Sequence, residues 1–289
     1  MSETVESLSH KIDSAAELGS VVRTMKAMAA SNIAQYERAV VSLEDYYRAV
    51  ELGLIACLQR QGAMKEHPVR PKVLCAVVFG SDQGLVGQYN ELLADFVAVE
   101  LKDNALEKHV FVVGERIQGY LADFEVDANF AVPNSIAAIT GITGHILSAI
   151  EKGSADQVYL FHNRPKSGSV HEPVMQRMLP LDETWQGELA RQKWPSKNLP
   201  EVIGEGTLEA LIREYLFISL FRACAESLAS ENAARLNAMR RAEKNIDELL
   251  EELNQDFHHL RQTGIDEELF DVIAGYELLS QSGGIKRGA

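Results

Sequence analysis

The segment from Thr207 to Thr263 runs for 57 residues without a glycine or a proline. Alternating steps of three and four residues meet sixteen positions there: Leu208, Leu211, Tyr215, Ile218, Arg222, Ala225, Ala229, Asn232, Leu236, Met239, Glu243, Ile246, Leu250, Leu253, Phe257 and Leu260. All of them except Arg222, Asn232 and Glu243 are apolar or alanine. This spacing predicts a long helix that packs along its length in a left-handed supercoil. At about 1.5 Å per residue such a helix is roughly 85 Å long, so it needs a partner.

The other end of the chain supplies a matching stripe. No proline precedes Pro68, and the same steps meet Leu8, Ile12, Ala15, Gly19, Val22, Lys26, Ala29, Ile33, Tyr36, Val40, Leu43, Tyr47, Val50, Leu54 and Cys57. Two such helices at opposite ends predict an antiparallel intramolecular coiled coil, with helical segments at 1–67 and 205–289 and a domain between them at 68–204. The alternative is that each stripe is only the buried face of a bundle helix.

Composition limits the classes of function. The apolar fraction of 46% and the charged fraction of 24% are typical of a folded soluble protein, and the net charge of −14 argues against a nucleic-acid partner. Three cysteines without a CxxC motif predict reduced, buried thiols. The polar N-terminus and the lack of a long apolar run predict neither a signal peptide nor a membrane span.

The middle of the chain changes pattern. Apolar runs predict strands at 73–79, 109–114, near 130–132, at 157–162 and, as an exposed last strand, at 170–181. Helices are predicted at 90–101 and 135–151, the second capped by Asn134 or Ser135. This alternation predicts a Rossmann-like α/β domain with a mostly parallel sheet, so the fold class of the whole chain is α/β with a long coiled coil.

A glycine-containing turn at Gly80–Gly87 follows the first strand. Backbone N–H groups at such a turn can hold phosphate, but the spacing is G-x-x-x-G-x-x-G, which is neither the dinucleotide fingerprint nor a P-loop. We therefore favour a tight strand-to-helix connection, which predicts that valine at Gly84 or Gly87 destabilises the fold. His109 and His162 lie at apolar strands, and His258 and His259 lack the spacing of a helical zinc pair. The sequence predicts no catalytic, cofactor-binding or metal-binding residue.

The chain resembles a known family over nearly its whole length. The segments that carry the resemblance are Lys11–Ser14 with Val22–Ala30, Ser81–Asn90, Glu214–Leu216, Glu226–Met239, and Arg261–Gln262 with Ile265, Glu268 and Leu269. They are similar to the signatures of the gamma subunit of rotary F-type ATP synthases. The C-terminal signature is the most specific of them.

Several residues depart from that pattern. The family usually has Asn-Thr where Glu17-Leu18 stand and a further lysine near Asn32, and it usually has asparagine at His258 and threonine at Asp266. The segment Ser81–Asn90, together with Asp266, is more similar to the alternate, sodium-type bacterial branch (N-ATPase). The coupling ion itself is bound by the c subunits, so this chain does not encode the choice between proton and sodium.

The resemblance implies a non-catalytic central shaft that couples ion flow to ATP synthesis or hydrolysis at the beta subunits. Its implied partners are the alpha and beta subunits, the epsilon subunit and the membrane ring of c subunits, on the cytoplasmic side of the cell membrane as a peripheral subunit. The residues that would make rotor–stator or stabilising polar contacts are Arg23, Met25, Lys26, Glu231, Arg235, Arg261, Gln262 and Glu268. Leu8, Ile265, Leu269, Val272 and Ile273 at the free end of the shaft would also need partners from outside the chain.

Two alternatives remain at this point. The α/β domain is an enzyme that binds a nucleotide at Gly80–Gly87, in which case the isolated chain binds ATP or ADP with micromolar affinity. Otherwise the coiled coil is a scaffold for an unrelated complex, which neighbouring genes for alpha, beta and epsilon subunits would exclude. The polar stripe positions Lys26, Arg222, Asn232 and Glu243 either contact partners or set the helix register, and for Arg222 and Glu243 we favour register.

Overall fold

The computed structural model describes residues 4–61, 71–166, 169–181, 183–192, 194 and 206–283. In chain order the elements are α1 (Val5–Ser42), α2 (Glu44–Gln61), β1 (Val73–Phe79), α3 (Tyr89–Lys102), β2 (Glu107–Val113), α4 (Glu115–Gln118), β3 (Val126–Phe130), α5 (Ile136–Gly153), β4 (Gln157–Lys166), β5 (Ser169–Leu179), α6 (Glu183–Arg191) and α7 (Thr207–Gly283). None of the described helices is long and apolar enough to span a bilayer. The predicted class, α/β with long terminal helices, is confirmed.

The chain divides into two compact units by its contacts. The coiled-coil unit comprises residues 1–27 and 239–289, and the α/β unit comprises residues 28–238. This division differs from the predicted boundaries at 67 and 205, because the α/β unit includes parts of both terminal helices. The three-part division by sequence stays a prediction, and residues 1–3, 62–67, 205 and 284–289 of its helical segments lie outside the described residues.

In the coiled-coil unit the predicted stripes face each other. Leu8, Ala15 and Val22 on α1 are buried, as are Met239 and Ile246 on α7. Gly19 lies opposite Ile246, whose Cγ2 would be 3.4 Å from a Cβ at position 19, so the missing side chain permits close approach. Lys26 and Glu243, the two polar positions of the stripe in this unit, form an ion pair across the helices.

The sheet of the α/β unit has the order β3-β2-β1-β4-β5. The first four strands are parallel, and β5 pairs antiparallel with β4. Central strand β1 is buried on both faces, as its unbroken apolar sequence predicts. Cys75, Val77 and Phe79 face a core that includes α5, α1 and α7, whereas Leu74, Ala76 and Val78 face a core that includes α3 and α4.

The two terminal helices also form part of the α/β unit. On α1, Tyr36 and Ala39 are buried in the same core as Ala225 and Ala229 of α7. Asn32 donates a side-chain hydrogen bond of 3.3 Å to Asn232 across the helices. Asn232 is therefore a polar stripe position that joins helix to helix, which fits a register role.

The structure corrects three local predictions. The N-terminal helix is interrupted at Leu43, whose backbone N–H donates to the carbonyl of Val40, three residues earlier. The Ser42 hydroxyl donates to the Ala39 carbonyl. Strand β3 ends at Phe130, where a strand near residues 130–132 was predicted, because its pairing with β2 begins at Val126. Helix α6 was not predicted. Its Leu189 is buried with Leu54 and Ile218, so tertiary packing stabilises a short segment with little sequence signal.

The thiol of Cys75 should be unreactive in the folded chain. Burial in β1 raises its pKa to about 12, with a further contribution from Asp127, and the thiolate is the nucleophilic form. We expect negligible labelling by a thiol reagent at pH 8 and rapid labelling in denaturant. Peptide mass analysis that found Cys75 labelled quickly under native conditions would contradict its position in the core. Cys57 and Cys224 are also buried.

Candidate functional site

The glycine turn after β1 is packed against protein and is not an open phosphate cradle. The Ser81 backbone N–H donates to the Asn90 side chain at 3.1 Å, and Ser81 is fully buried. The Asp82 carboxylate accepts from the backbone N–H groups of Glu115 (2.9 Å) and Val132 (2.9 Å). A carboxylate of the chain itself therefore accepts the backbone N–H groups at the ends of β2 and β3. This is expected for a structural connection and not for a phosphate site.

Positive φ values within the turn differ in position from the sequence expectation. They occur at Leu85 and Gly87, both at 62°, and a Cβ at Gly84 would meet no atom within 4 Å. The expectation that valine at Gly84 clashes or strains the backbone is therefore wrong, while the strain argument applies at Gly87. Gly80 and Gly114 are the tight positions, since a Cβ would lie 2.4 Å from Ile117 and 2.8 Å from the Ser81 backbone respectively.

Helix α7 occupies the crevice in which an open α/β sheet usually binds its ligand. That crevice lies beyond the carboxyl ends of β1 and β4, where the strand order reverses. The Ser227 hydroxyl donates to the Phe79 carbonyl at 3.0 Å, and the fully buried Tyr89 hydroxyl donates to the Ser227 carbonyl at 2.9 Å. Asn163 of β4 donates to the Tyr89 carbonyl at 3.3 Å. The sheet thus holds α7 where a dinucleotide would bind.

Glu231 and Arg235 form a buried ion pair on α7 of the α/β unit. Arg235 Nη2 lies 2.5 Å from Glu231 Oε1, and the two side chains are 13% and 6% exposed. Burial raises the pKa of Glu231, and Arg235 only partly offsets that effect. Of the two roles that the resemblance implies for this pair, the geometry favours the stabilising one.

Arg23, Met25 and Lys26 lie together on α1 in the coiled-coil unit. Arg23 is exposed, Met25 is half-buried, and Lys26 is bound to Glu243. Leu18 and Val21, two turns and one turn before Met25 on the helix, are more than half exposed. An exposed apolar strip of this kind is typical of a contact surface, and Arg23 and Met25 lie beside it. The Lys26 side chain already forms an ion pair with Glu243 of the same chain.

Arg261, Gln262 and Glu268 lie on the last part of α7 and are exposed. Among the residues that the structure describes, none of the three has a hydrogen-bond or ion-pair partner. Large apolar side chains are exposed beside them, namely Ile265, Leu269, Phe270, Val272, Ile273 and Tyr276. Leu8, expected to need an outside partner as well, is instead buried within the chain. Polar and apolar groups on this segment are both available to another subunit.

The histidines of the strands have structural partners. His109 Nδ1 lies 2.7 Å from Asp127, whose hydrogen bond raises the pKa of His109, and His162 Nε2 lies 3.0 Å from Glu226. Within the described ranges no three His, Cys, Asp or Glu side chains converge on a possible metal position.

The structure brings the eight predicted site residues together only in part. Arg23, Met25 and Lys26 share one stretch of α1, and Arg261, Gln262 and Glu268 share one stretch of α7, whereas Glu231 and Arg235 belong to the core of the other unit. Sequence reasoning missed Asp82, Tyr89 and Ser227, which connect the sheet to its surroundings. Local sequence does not reveal these roles, because the contacts join segments that are far apart in the chain.

Comparison with known proteins agrees with this geometry. The family model described as ATP synthase matches residues 4–279. The ATP synthase gamma chain of Pasteurella multocida is 27% identical, over 92% of this chain and 96% of its own length. That of Desulforudis audaxviator is 29% identical, over 92% and 95%. The chain belongs to the ATP synthase gamma family. As a member of the gamma family it is a non-catalytic subunit of the ATP synthase complex.

Solved structures share the gamma fold. A chain of the Euglena gracilis mitochondrial ATP synthase rotor has a TM-score of 0.65 at 14% identity, covering 90% of this chain and 98% of its own. A chain from the OSCP/F1/c-ring structure of the same enzyme has a TM-score of 0.66 at 16% identity, covering 99% and 97%. A central stalk/c-ring chain from Tetrahymena thermophila has a TM-score of 0.57 at 22% identity, covering 77% and 99%.

Proposed function

We propose that this chain is the central-stalk rotor subunit of a rotary ATP synthase. It couples ion flow through a ring of c subunits to ATP synthesis or hydrolysis at the beta subunits, and it binds the alpha, beta and epsilon subunits. Family membership supports this role, as does the occurrence of the fold in chains described as rotor and central stalk. Peripheral placement on the cytoplasmic side of the membrane belongs to the proposal, and the sodium-type branch stays a prediction from resemblance.

The observation that carries the proposal is the last part of α7. Arg261 and Gln262 extend from a helix that is exposed there on all sides, next to apolar side chains that a solvated helix would not display. We assign Arg261 and Gln262 to hydrogen bonds with a loop of a beta subunit, because the guanidinium group suits a carboxylate of such a loop. Glu268, Arg23 and Met25 are assigned to further contacts with the ring.

Such contacts can couple distant sites only if they differ between states. A single shaft presents different faces to three chemically identical beta subunits, so each contact biases the nucleotide affinity of one subunit at one rotary angle. The contacts on Arg23, Met25 and Arg261 are thus worth free energy at some angles and none at others. This angular difference is the quantity by which rotation and catalysis are linked.

Replacing Arg261 or Gln262 with alanine should leave the isolated chain folded and lower the activity of the assembled enzyme. Loss of one charge-assisted hydrogen bond costs about 1.5–3 kcal/mol at the rotary angles where it is made. We therefore expect lower steady-state ATP turnover and lower ion-driven synthesis, while the beta subunits still bind nucleotide. Complex assembly, ATPase rate and synthesis in vesicles are the measurements.

The matched controls are Glu251→Ala and Glu252→Ala, which remove exposed charges from the same helix. They should assemble and turn over like the parent enzyme. The assignment to the ring is misplaced if the Arg261 and Gln262 variants match the parent while the glutamate variants fail. Failure of the chain to enter a complex with alpha and beta subunits would reject the rotor function itself.

A further inference from the structure

The coiled-coil unit carries a belt of positive charge, although the whole chain has a net charge of −14. Within residues 18–27 of α1 and 239–246 of α7 the sequence has five cations and one acidic residue, Glu243. The cations of this basic belt are Arg23, Lys26, Arg240, Arg241 and Lys244. Glu243 is therefore the one residue of these two stretches that lowers their positive charge.

Glu243 neutralises one particular cation of the basic belt. Its carboxylate forms an ion pair across the helices with the Lys26 ammonium group, and the two side chains are 21% and 34% exposed. Lys244 pairs with Glu248 at 3.4 Å, but both of these side chains are mostly exposed. Water and salt screen an exposed pair more strongly than a half-buried one, so Lys26 is the cation that pairing withdraws most.

Arg23 stays available on the same face of α1 as Lys26. Residues three apart on a helix are neighbours, so the two cations lie one turn from each other. The Arg23 guanidinium group extends over Gly19, where its Nη1 atom would lie 3.6 Å from a Cβ. Among the residues that the structure describes, Arg23 has no ion-pair partner. A subunit that contacts the exposed apolar strip of α1 therefore meets Arg23, and it meets Lys26 only if Glu243 releases it.

Release of Lys26 would change the contact surface of the shaft. The lysine side chain has a flexible four-carbon stem, so a released ammonium group can extend to the solvent at the edge of the helix pair. There it can bind a carboxylate of another subunit at the rotary angles where one approaches. An additional contact made at some angles and not at others stabilises those angles and slows the passage through them.

We propose that Glu243 is a positioning residue of the rotor, which withholds Lys26 from the surrounding subunits and leaves Arg23 as the cation that meets them. This inference rests on the rotor function proposed above. Glu243 acts through Lys26 and makes no contact of its own with another subunit. The contact that it prevents is one with a carboxylate.

ATP hydrolysis by the complex of this chain with alpha and beta subunits tests the proposal. Glu243→Gln should lower turnover about two- to fivefold at low ionic strength, as expected for one new exposed ion pair at some rotary angles. The double variant Glu243→Gln with Lys26→Met should recover the parent rate, because no released ammonium group remains. At about 0.5 M salt the loss in Glu243→Gln should largely disappear, because salt screens exposed ion pairs.

Glu248→Gln is the matched control, since it removes one acidic group from the same helix and frees only Lys244, which is already exposed. This variant should turn over like the parent. Glu243→Gln with Lys26→Arg keeps a released cation and should remain slow. Thermal melts of the isolated chains should show that all variants are folded.

Two results would overturn the proposal and leave the rotor function intact. One is parent-like turnover of Glu243→Gln at low ionic strength. The other is a loss that persists in high salt or in the double variant with Lys26→Met, because such a loss reflects a structural defect of the helix pair. A chain that does not assemble with alpha and beta subunits would overturn the rotor function and this inference together.

Discussion

Arg235→Met should lower the free energy of unfolding of the isolated chain by about 3–5 kcal/mol at neutral pH. The substitution leaves the Glu231 carboxylate, itself only 6% exposed, without its cationic partner at 2.5 Å. An uncompensated charge in a poorly solvated position is among the largest single-residue penalties in proteins. The measurement is urea-induced unfolding of the parent and the variant under identical conditions.

The loss of stability in the Arg235→Met variant should depend on pH. Burial already raises the pKa of Glu231 in the folded chain, and loss of Arg235 removes the main opposing effect, so the pKa rises further. A raised folded-state pKa contributes stability that is present below the unfolded-state pKa and is lost as pH rises through the folded value. The free energy of unfolding of the variant should therefore approach that of the parent as pH falls from 8 towards 5, because Glu231 takes up a proton.

Two further variants separate the pair from a general loss of charge. The double variant Glu231→Gln with Arg235→Met should recover most of the stability, since neither charge remains buried. Lys244→Met breaks the exposed pair with Glu248, which has the same spacing along the helix, and should cost less than about 0.5 kcal/mol. If Arg235→Met costs no more than Lys244→Met, Glu231 and Arg235 serve a partner subunit and not the core.

The long-range helical pattern was predictable because it depends on residue spacing alone. Every apolar position of the N-terminal stripe from Leu8 to Cys57 is buried or half-buried, and on α7 the only exposed stripe position is Arg222. Arg222 bonds to Glu226 one turn along its own helix, and its register role stays a prediction. Glu243 does pair across the helices with Lys26, which agrees with a register role.

Local signals also identified the central strand and one helix start. The unbroken apolar run of β1 predicts burial on both faces, and the Ser135 side chain accepts from the Ala138 N–H at 3.3 Å as the cap of α5. The interruption at Leu43 has no glycine or proline to announce it. It arises from a hydroxyl that competes for one backbone carbonyl, and such competition is decided by the surrounding packing.

The polar contacts of the candidate site were less accessible to sequence reasoning. Tyr89 and Ser227 are 138 residues apart, and no periodicity relates them. The resemblance pointed to Glu231 and Arg235 as contact residues but did not indicate that they are largely buried. Arg261 and Gln262, by contrast, are exposed. Spacing defines which face of a helix is apolar, whereas hydrogen bonds between distant segments follow only from the completed fold.

Gly114→Ala should destabilise the α/β unit by about 3 kcal/mol or more. Gly114 has a φ of 112°, which residues with a Cβ rarely adopt, and a Cβ there would lie 2.8 Å from the Ser81 backbone. Ser81 cannot move aside easily, because its N–H is bound to Asn90 and its carbonyl to the Arg116 N–H. Backbone strain and overpacking therefore add at one position.

Gly84→Ala is the control for Gly114→Ala, since both substitutions add one methyl group near the same turn. A Cβ at Gly84 meets no atom within 4 Å and the residue is not among those with positive φ, so alanine should be neutral or stabilise the fold by about 0.4–1 kcal/mol. Urea unfolding of the purified chain measures both. Equal stability of the two variants would mean that β2 and the glycine turn are not in the close contact described, and that Asp82 does not fix the turn to the ends of β2 and β3.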